Sequence, residues 1–175
     1  MSSQQITLVA LAAVLGFWAV GAYNRLMGLR NAILRGFVPV DLQLKLRHAL
    51  LQRQIDTLTP VLADHADSLS ALRAASTQAL AAGAHARTHP GAAGAINSLR
   101  LAESILLDTR ARLPPAEHAG PELAELNTQL ASLETTLQFA RAGFNDAVME
   151  YNRSVQQFPT WVLARLFGFR VASAF

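Results

Sequence analysis

Two histidines, His85 and His89, stand four residues apart, the spacing that sets two imidazoles on one helix face where they can share a metal ion. No acid lies between or near them, and Pro90 marks a helix end at that point. With neither a glutamate base nor a third ligand at hand, no metal site is expected. His65 is flanked by Asp64 and Asp67, but in a helix those three do not share a face, and solvation at the surface is their expected role. Glu103, and Glu134 with Arg141 seven residues on, read as polar contacts between helices. The single lysine, Lys45, has no serine near it and no glycine-rich elbow, so a serine–lysine dyad is not expected. The chain contains no cysteine, which removes thiolate catalysis, disulfides and zinc–sulfur sites. Neither G-x-x-x-x-G-K-[ST] nor G-x-G-x-x-G occurs. The expectation is a non-enzymatic protein, with no cofactor and no small-molecule substrate identified.

The elements that would position side chains begin with the segment Ile6 to Tyr23, ITLVALAAVLGFWAVGAY, which is free of charge up to Arg25. At about 1.5 Å per residue, this run with its polar flanks just spans a hydrocarbon core of roughly 30 Å, and Trp18 and Tyr23 lie where amphipathic rings favour the interface. A cleaved signal peptide is the competing reading, but MSSQQ offers no basic leading region beyond the terminal amine. An uncleaved, single-pass transmembrane helix is therefore expected over 6–23, after a short non-cytoplasmic tail, 1–5. Within it Ala12 and Gly16 form one small-xxx-small pair, weak support for close approach of a second helix. Arg25, Arg30 and Arg35 follow the span and nothing basic precedes it, which puts the N-terminus outside and the bulk in the cytoplasm.

Between Asn24 and Ile55 six basic residues face one acid, Asp41, whereas nine face eleven in the remainder. This membrane-proximal belt either holds anionic lipid headgroups, at about 1 kcal/mol per basic residue near the surface, or only sets topology and solvates a helix face. The chain's overall surplus of +3 is too small to indicate nucleic acid.

Beyond the span, 24–158 reads as an all-α domain of long antiparallel helices, three or four in number, with no strand alternation. The first helix is expected to run to about Arg35 with Leu26, Leu29, Ile33 and Phe37 on one stripe, and Gly36 with Val38-Pro39 to impose a bend or a break. From Asp41 to about Ala82, positions including Leu51, Ile55, Leu58, Leu62, Leu69, Leu72, Ser76 and Ala79 keep three- and four-residue steps, and a kink at Pro60 is favoured over a restart. Gly83 to Gly94 is expected to be a connection, followed by a helix over about 95–113 ended by Pro114-Pro115.

The clearest pattern runs from Leu123 to Phe158 in steps of 3-4-3-4-3-4-4-3-4-3, one long amphipathic helix whose opening steps are heptad-like. The apolar segment 159–175 is too short to span a bilayer. It caps the bundle or lies in the interface, and docking on the bundle is favoured. If the chain reverses near Pro39, four passes return Phe158 to the membrane side; if the first two segments form one bent rod, three passes leave it at the far end.

The residues YNRLMGLRNAILR directly after the span, then VDLQLKLRHAL, then ARAGFNDAVMEYNRSVQQFPTWVLARLFGF, resemble the LemA family of bacterial membrane proteins over most of the chain. Tyr23-Asn24, Asp41-x-Gln43-Leu44, Arg141 with Phe144-Asn145, Tyr151-Asn152, Phe158-Pro159 and Leu166 to Phe169 carry the likeness. Phe144 stands where the family usually has tyrosine. The resemblance implies a single-pass inner-membrane protein, N-out and C-in, with a helical bundle and a largely undefined biochemical role; it supplies no catalytic residues.

Two contact sets emerge. Arg25, Arg30, Arg35, Trp161, Phe167 and Phe169 are candidates for lipid contact. Asn145, Tyr151 and Asn152 are candidates for helix packing: Phe144 and Tyr151 lie on the stripe, and the two asparagines fall together beside it, either solvated or bonded to a neighbouring helix. A scaffold that associates with itself or with partner membrane proteins is the leading expectation, and a lipid-binding membrane organiser the alternative.

Overall fold

The computed structural model describes residues 2–115 and 120–175. Among these the chain is all-helical: α1 (Ser3–Leu58), a single 3-10 turn (Ala63–His65), α2 (Ala66–Thr88), α3 (Ala93–Ala111), α4 (Gly120–Gln156) and α5 (Thr160–Leu166). A segment outside any helix, 169–175, follows. Part of the stretch between the helix end at Pro114-Pro115 and the stripe that opens at Leu123 lies outside the described residues.

A capping box starts α1: the Ser2 hydroxyl accepts from the Gln5 amide, and the Ser2 amide donates to the Gln5 side chain. The helix then runs for 56 residues, about 84 Å at 1.5 Å per residue. Its start is apolar, with a mean hydropathy of 2.0 over the best window, and none of 3–25 is buried. From Leu26 onward the same helix buries a stripe that includes Ile33, Phe37, Val40, Leu44, Leu51 and Ile55. One helix thus supplies both the candidate span and the central post of the bundle.

Cross-links fix the direction of every neighbour. Along α2, Arg73 pairs with Asp56 at 2.8 Å and Ser76 with His48 at 2.8 Å, so α2 returns along α1. Along α4, Asn127 bonds Gln54 at 2.7 Å and Phe144 packs edge-on against Phe37 at 5.3 Å, so α4 also runs against α1. α3 packs on α2 and its side chains Ile96 and Leu99 join Leu137, Phe144 and Val148 of α4 in one core cluster. A second cluster, built on Leu51, Ile55, Leu72, Leu106 and Leu130, fills the far half.

Three sequence expectations change. First, α1 neither breaks nor reverses at Pro39. Pro39 and Arg35 are both exposed, so the Arg35 carbonyl that loses its amide partner faces water, while Phe37, Val40 and Asp41 on the other side are buried. Packing on that side outweighs a local cost of about 3 kcal/mol.

Second, the chain stops and turns at Pro60, where a kinked continuous helix was expected. Leu51, Ile55 and Leu58 before it, and Leu62, Leu69 and Leu72 after it, all belong to one cluster, and only a hairpin lets the two apolar stripes cover each other. Thr59 secures the stop, its hydroxyl donating to the Ile55 carbonyl at 2.8 Å. Of the two courses left open at Pro39, reversal or a bent rod, neither occurs there, and the first reversal comes about 20 residues further on, after Leu58. The result is four passes with an unbroken α1, and α4 returns to the end from which α1 projects.

Third, α2 continues through Gly83 to Thr88, leaving His89–Ala92 as the connection. Gly83 serves close approach: a Cβ there would meet a Leu44 methyl at 3.0 Å. The stripe on α4 is buried or half-buried from Leu123 to Val155, but Phe158, beyond the helix end, is exposed.

Candidate functional site

The C-terminal residues gather at the end of the bundle nearest the apolar start of α1. Tyr23 stacks edge-on with Phe167 and Phe169, at 5.1 and 5.8 Å between ring centres. α5 is short, held by its buried Leu163 and Ala164, and it leaves Trp161, Val162 and Leu166 exposed. Arg165 lies 5.4 Å from the Trp161 ring centre. Phe167 is also exposed and Phe169 is partly buried against the core. Of the candidate lipid contacts, Arg25, Arg30 and Arg35 are exposed on α1 just below this level.

The wider basic belt does not survive folding. Because α1 is unbroken, Arg47 stands about 36 Å and Arg53 about 45 Å along the helix from Tyr23, at 1.5 Å per residue. Arg47 is moreover buried, 4% exposed, and Lys45 is paired with Asp41 at 2.7 Å. Of the belt, only Arg25, Arg30 and Arg35 remain on the part of α1 nearest its apolar start.

After α5, Gly168 takes a φ of +72°, and segment 169–175 runs extended back along α4. Asn152 makes a paired amide contact with Ala172, donating to its carbonyl and accepting its amide, both at 2.8 Å. Asn145 does the same with Phe175, at 2.8 and 2.7 Å. The Tyr151 hydroxyl donates to the Arg170 carbonyl at 2.9 Å. On the other side Ser173 donates its amide to Gly91 at 2.8 Å, and Arg100 donates to the Ala174 carbonyl at 2.5 Å.

The two asparagines therefore bond across their neighbour as one reading allowed, but that neighbour is an extended strap and not a helix. Gly91 sits at φ +82° where the strap crosses, and a Cβ there would lie 2.9 Å from Ala172. Burial raises the pKa of the Tyr151 hydroxyl, against a smaller lowering by Arg30. The phenol thus stays protonated and able to donate.

The strap ends on a buried ion network. The Arg141 guanidinium covers the Phe175 ring at 4.2 Å and bonds Glu103 at 2.6 Å. The other Glu103 oxygen accepts from Arg47, which also reaches Glu134 at 3.4 Å. Burial alone lowers the Arg47 pKa, but bonding and charge from Glu103, then Glu134, more than offset it and leave it raised. Glu103, Glu134 and Arg141 do bridge helices, with Arg47 as the member that its place in the basic belt concealed.

His85 and His89 lie 5.3 Å apart by ring centres and are exposed, and among the described residues no group of three metal-ligating side chains forms. One feature lacks a sequence expectation: Leu34, Val38, Leu42 and Leu46, spaced by four, are all exposed along one flank of α1. The four-residue period was visible in the sequence, but the bend or break expected at Pro39 divided it.

The model of the LemA family matches residues 36–175, most of the chain. This is not a known enzyme family. No curated protein matches the chain. Together with the apolar start of α1, the match points to a membrane-anchored protein.

Proposed function

From the premise that the chain belongs to the LemA family, we propose that it is a single-pass scaffold of the bacterial inner membrane, N-terminus outside and bundle in the cytoplasm. It acts without catalysis, by associating with itself or with the helices of partner membrane proteins. The observation that carries this reading is the exposed apolar flank Leu34, Val38, Leu42 and Leu46, on the same unbroken helix as the apolar start and about 16–35 Å beyond Tyr23. Monomeric bundles usually turn polar faces outward, and a lengthwise apolar flank is suited to a neighbouring helix. Tethering adds to its effect, because two copies held in one membrane by parallel spans meet at high effective concentration. Orientation rests on Arg25, Arg30 and Arg35.

The absence of cysteine makes the test direct. Val38→Cys in full-length protein in its native membrane is expected to give an oxidative dimer or an adduct with a partner. Asp146→Cys, on an exposed position of α4, supplies the background. Cross-linking at Val38 no greater than at Asp146 overturns the reading.

The second reading is lipid contact by the bundle end. It is favoured by exposed Trp161, Val162, Leu166 and Phe167 beside Tyr23, with Arg165 and Arg170 among them. Aromatic and aliphatic tips flanked by arginines suit an anionic headgroup layer.

A further inference from the structure

The strap packs Phe169, Ala172, Ala174 and Phe175 against the core, and its hydrogen bonds to the bundle are made through its main chain. Asn145, Asn152, Tyr151, Arg100 and the Gly91 carbonyl all bond backbone atoms of 170–175. Each asparagine pairs with both the N–H and the C=O of a single residue, the exchange that a neighbouring strand offers at a hydrogen-bonded position. The spacing also matches. Seven residues of α4 rise about 10.5 Å, and the three steps from Ala172 to Phe175 cover about 10 Å in extended chain. An α-helix with amides at i and i+7 thus measures off every third residue of an extended peptide.

Side chains supply selectivity where the groove is tightest. Gly91 lets the strap pass close, since a Cβ there would lie 2.9 Å from Ala172, while the aromatic ring at 175 meets the Arg141 guanidinium. Backbone bonding for affinity with pockets for alternate side chains is how sheet edges capture peptides. Lifting the strap melts no helix, since 169–175 is extended and Gly168 already provides the turn before it.

We propose that the groove between α4 and the α2–α3 turn is a binding site for an extended peptide, and that its partner is residues 169–175 of a second copy of this chain. The chain's own strap is the resident occupant. Exchange between copies restores every bond in trans, which makes a swapped link cheap to form. This deepens the scaffold reading by naming a second contact between copies, and it does not use the α1 flank.

Two full-length versions test it in detergent. The donor carries Asn145→Ala and Asn152→Ala, which removes four of the bonds that hold its own strap, and Val171→Cys. The acceptor lacks residues from Phe169 onward and carries Gln156→Cys, a position that lines one cleft with Val171. A short bis-maleimide is expected to link donor to acceptor. Placing Asn145→Asp and Asn152→Asp in the acceptor, which keeps side-chain shape but removes both donors, should cut that link at least about tenfold.

No link with an acceptor that keeps the helical circular dichroism of the bundle overturns the proposal. So does a link that survives the aspartates. In that second case copies meet elsewhere, and the Val38→Cys cross-link judges the α1 flank on its own. As a check independent of the donor's folding, a fluorescein-labelled peptide of sequence FRVASAF should bind the acceptor and not its aspartate version. Equal binding to both also overturns the proposal.

Discussion

Glu103 is the residue on which α1, α3 and α4 meet, with its two oxygens divided between Arg47 and Arg141. Removing it leaves the Arg47 charge buried, so Glu103→Ala is expected to destabilise the bundle by about 3–5 kcal/mol, read by urea unfolding. Arg47→Leu with Glu103→Leu together should recover most of that loss, because the apolar pair carries no uncompensated charge.

Tyr151 gives a pH signature. Its folded-state pKa is raised by burial above the ordinary tyrosine value of about 10. Its contribution is therefore complete below pH about 10 and is lost as pH rises through the folded value. Tyr151→Phe should cost about 1 kcal/mol at neutral pH and flatten the fall in alkali, seen by comparing unfolding midpoints of the two proteins across that range. The tyrosine and both asparagines were legible as one cluster on α4. Their true partner was not, because an extended strap has no period to betray where it lies.

At the scale of elements, Pro39 shows a local rule overruled. The helix continues because half of its circumference is fixed in the core, and the missing hydrogen bond falls on the wet half. Pro39→Ala is accordingly expected to stabilise the protein by up to about 3 kcal/mol, measured as a raised denaturation midpoint. A loss of stability would mean that α1 needs the proline's shape. On the core side, Phe144→Ala removes the ring stacked on Phe37 and should cost about 3–5 kcal/mol. The stripe that placed Phe144, Val148 and Tyr151 inside was plain in the sequence. Pro60 was ambiguous because kink and hairpin have identical local chemistry; the choice belongs to the two stripes on either side, which must find each other.

For the whole molecule, four passes bring α5 and the strap back to the base of the apolar helix, so candidate lipid contacts distant in sequence, Arg25 and Trp161, share one end. A soluble fragment beginning at Asn24 retains Leu26 and Ile33, both core residues that a cut at residue 36 would remove. It is expected to float with anionic vesicles at low salt, and Trp161→Ser with Phe167→Ser should abolish flotation; flotation unchanged by the pair sinks the lipid reading. Periodicity and hydropathy were enough to fix the helical class, the apolar start, the buried stripes of the four long helices and the absence of familiar catalytic motifs, since each depends on residues within a few turns. Where the chain reverses, how far Arg47 and Arg53 stand from the apolar start, and what Asn145 and Asn152 hold were settled by packing. Those outcomes depend on which distant surfaces cover one another, and burial energy between far-apart segments leaves no mark in any short stretch of chain.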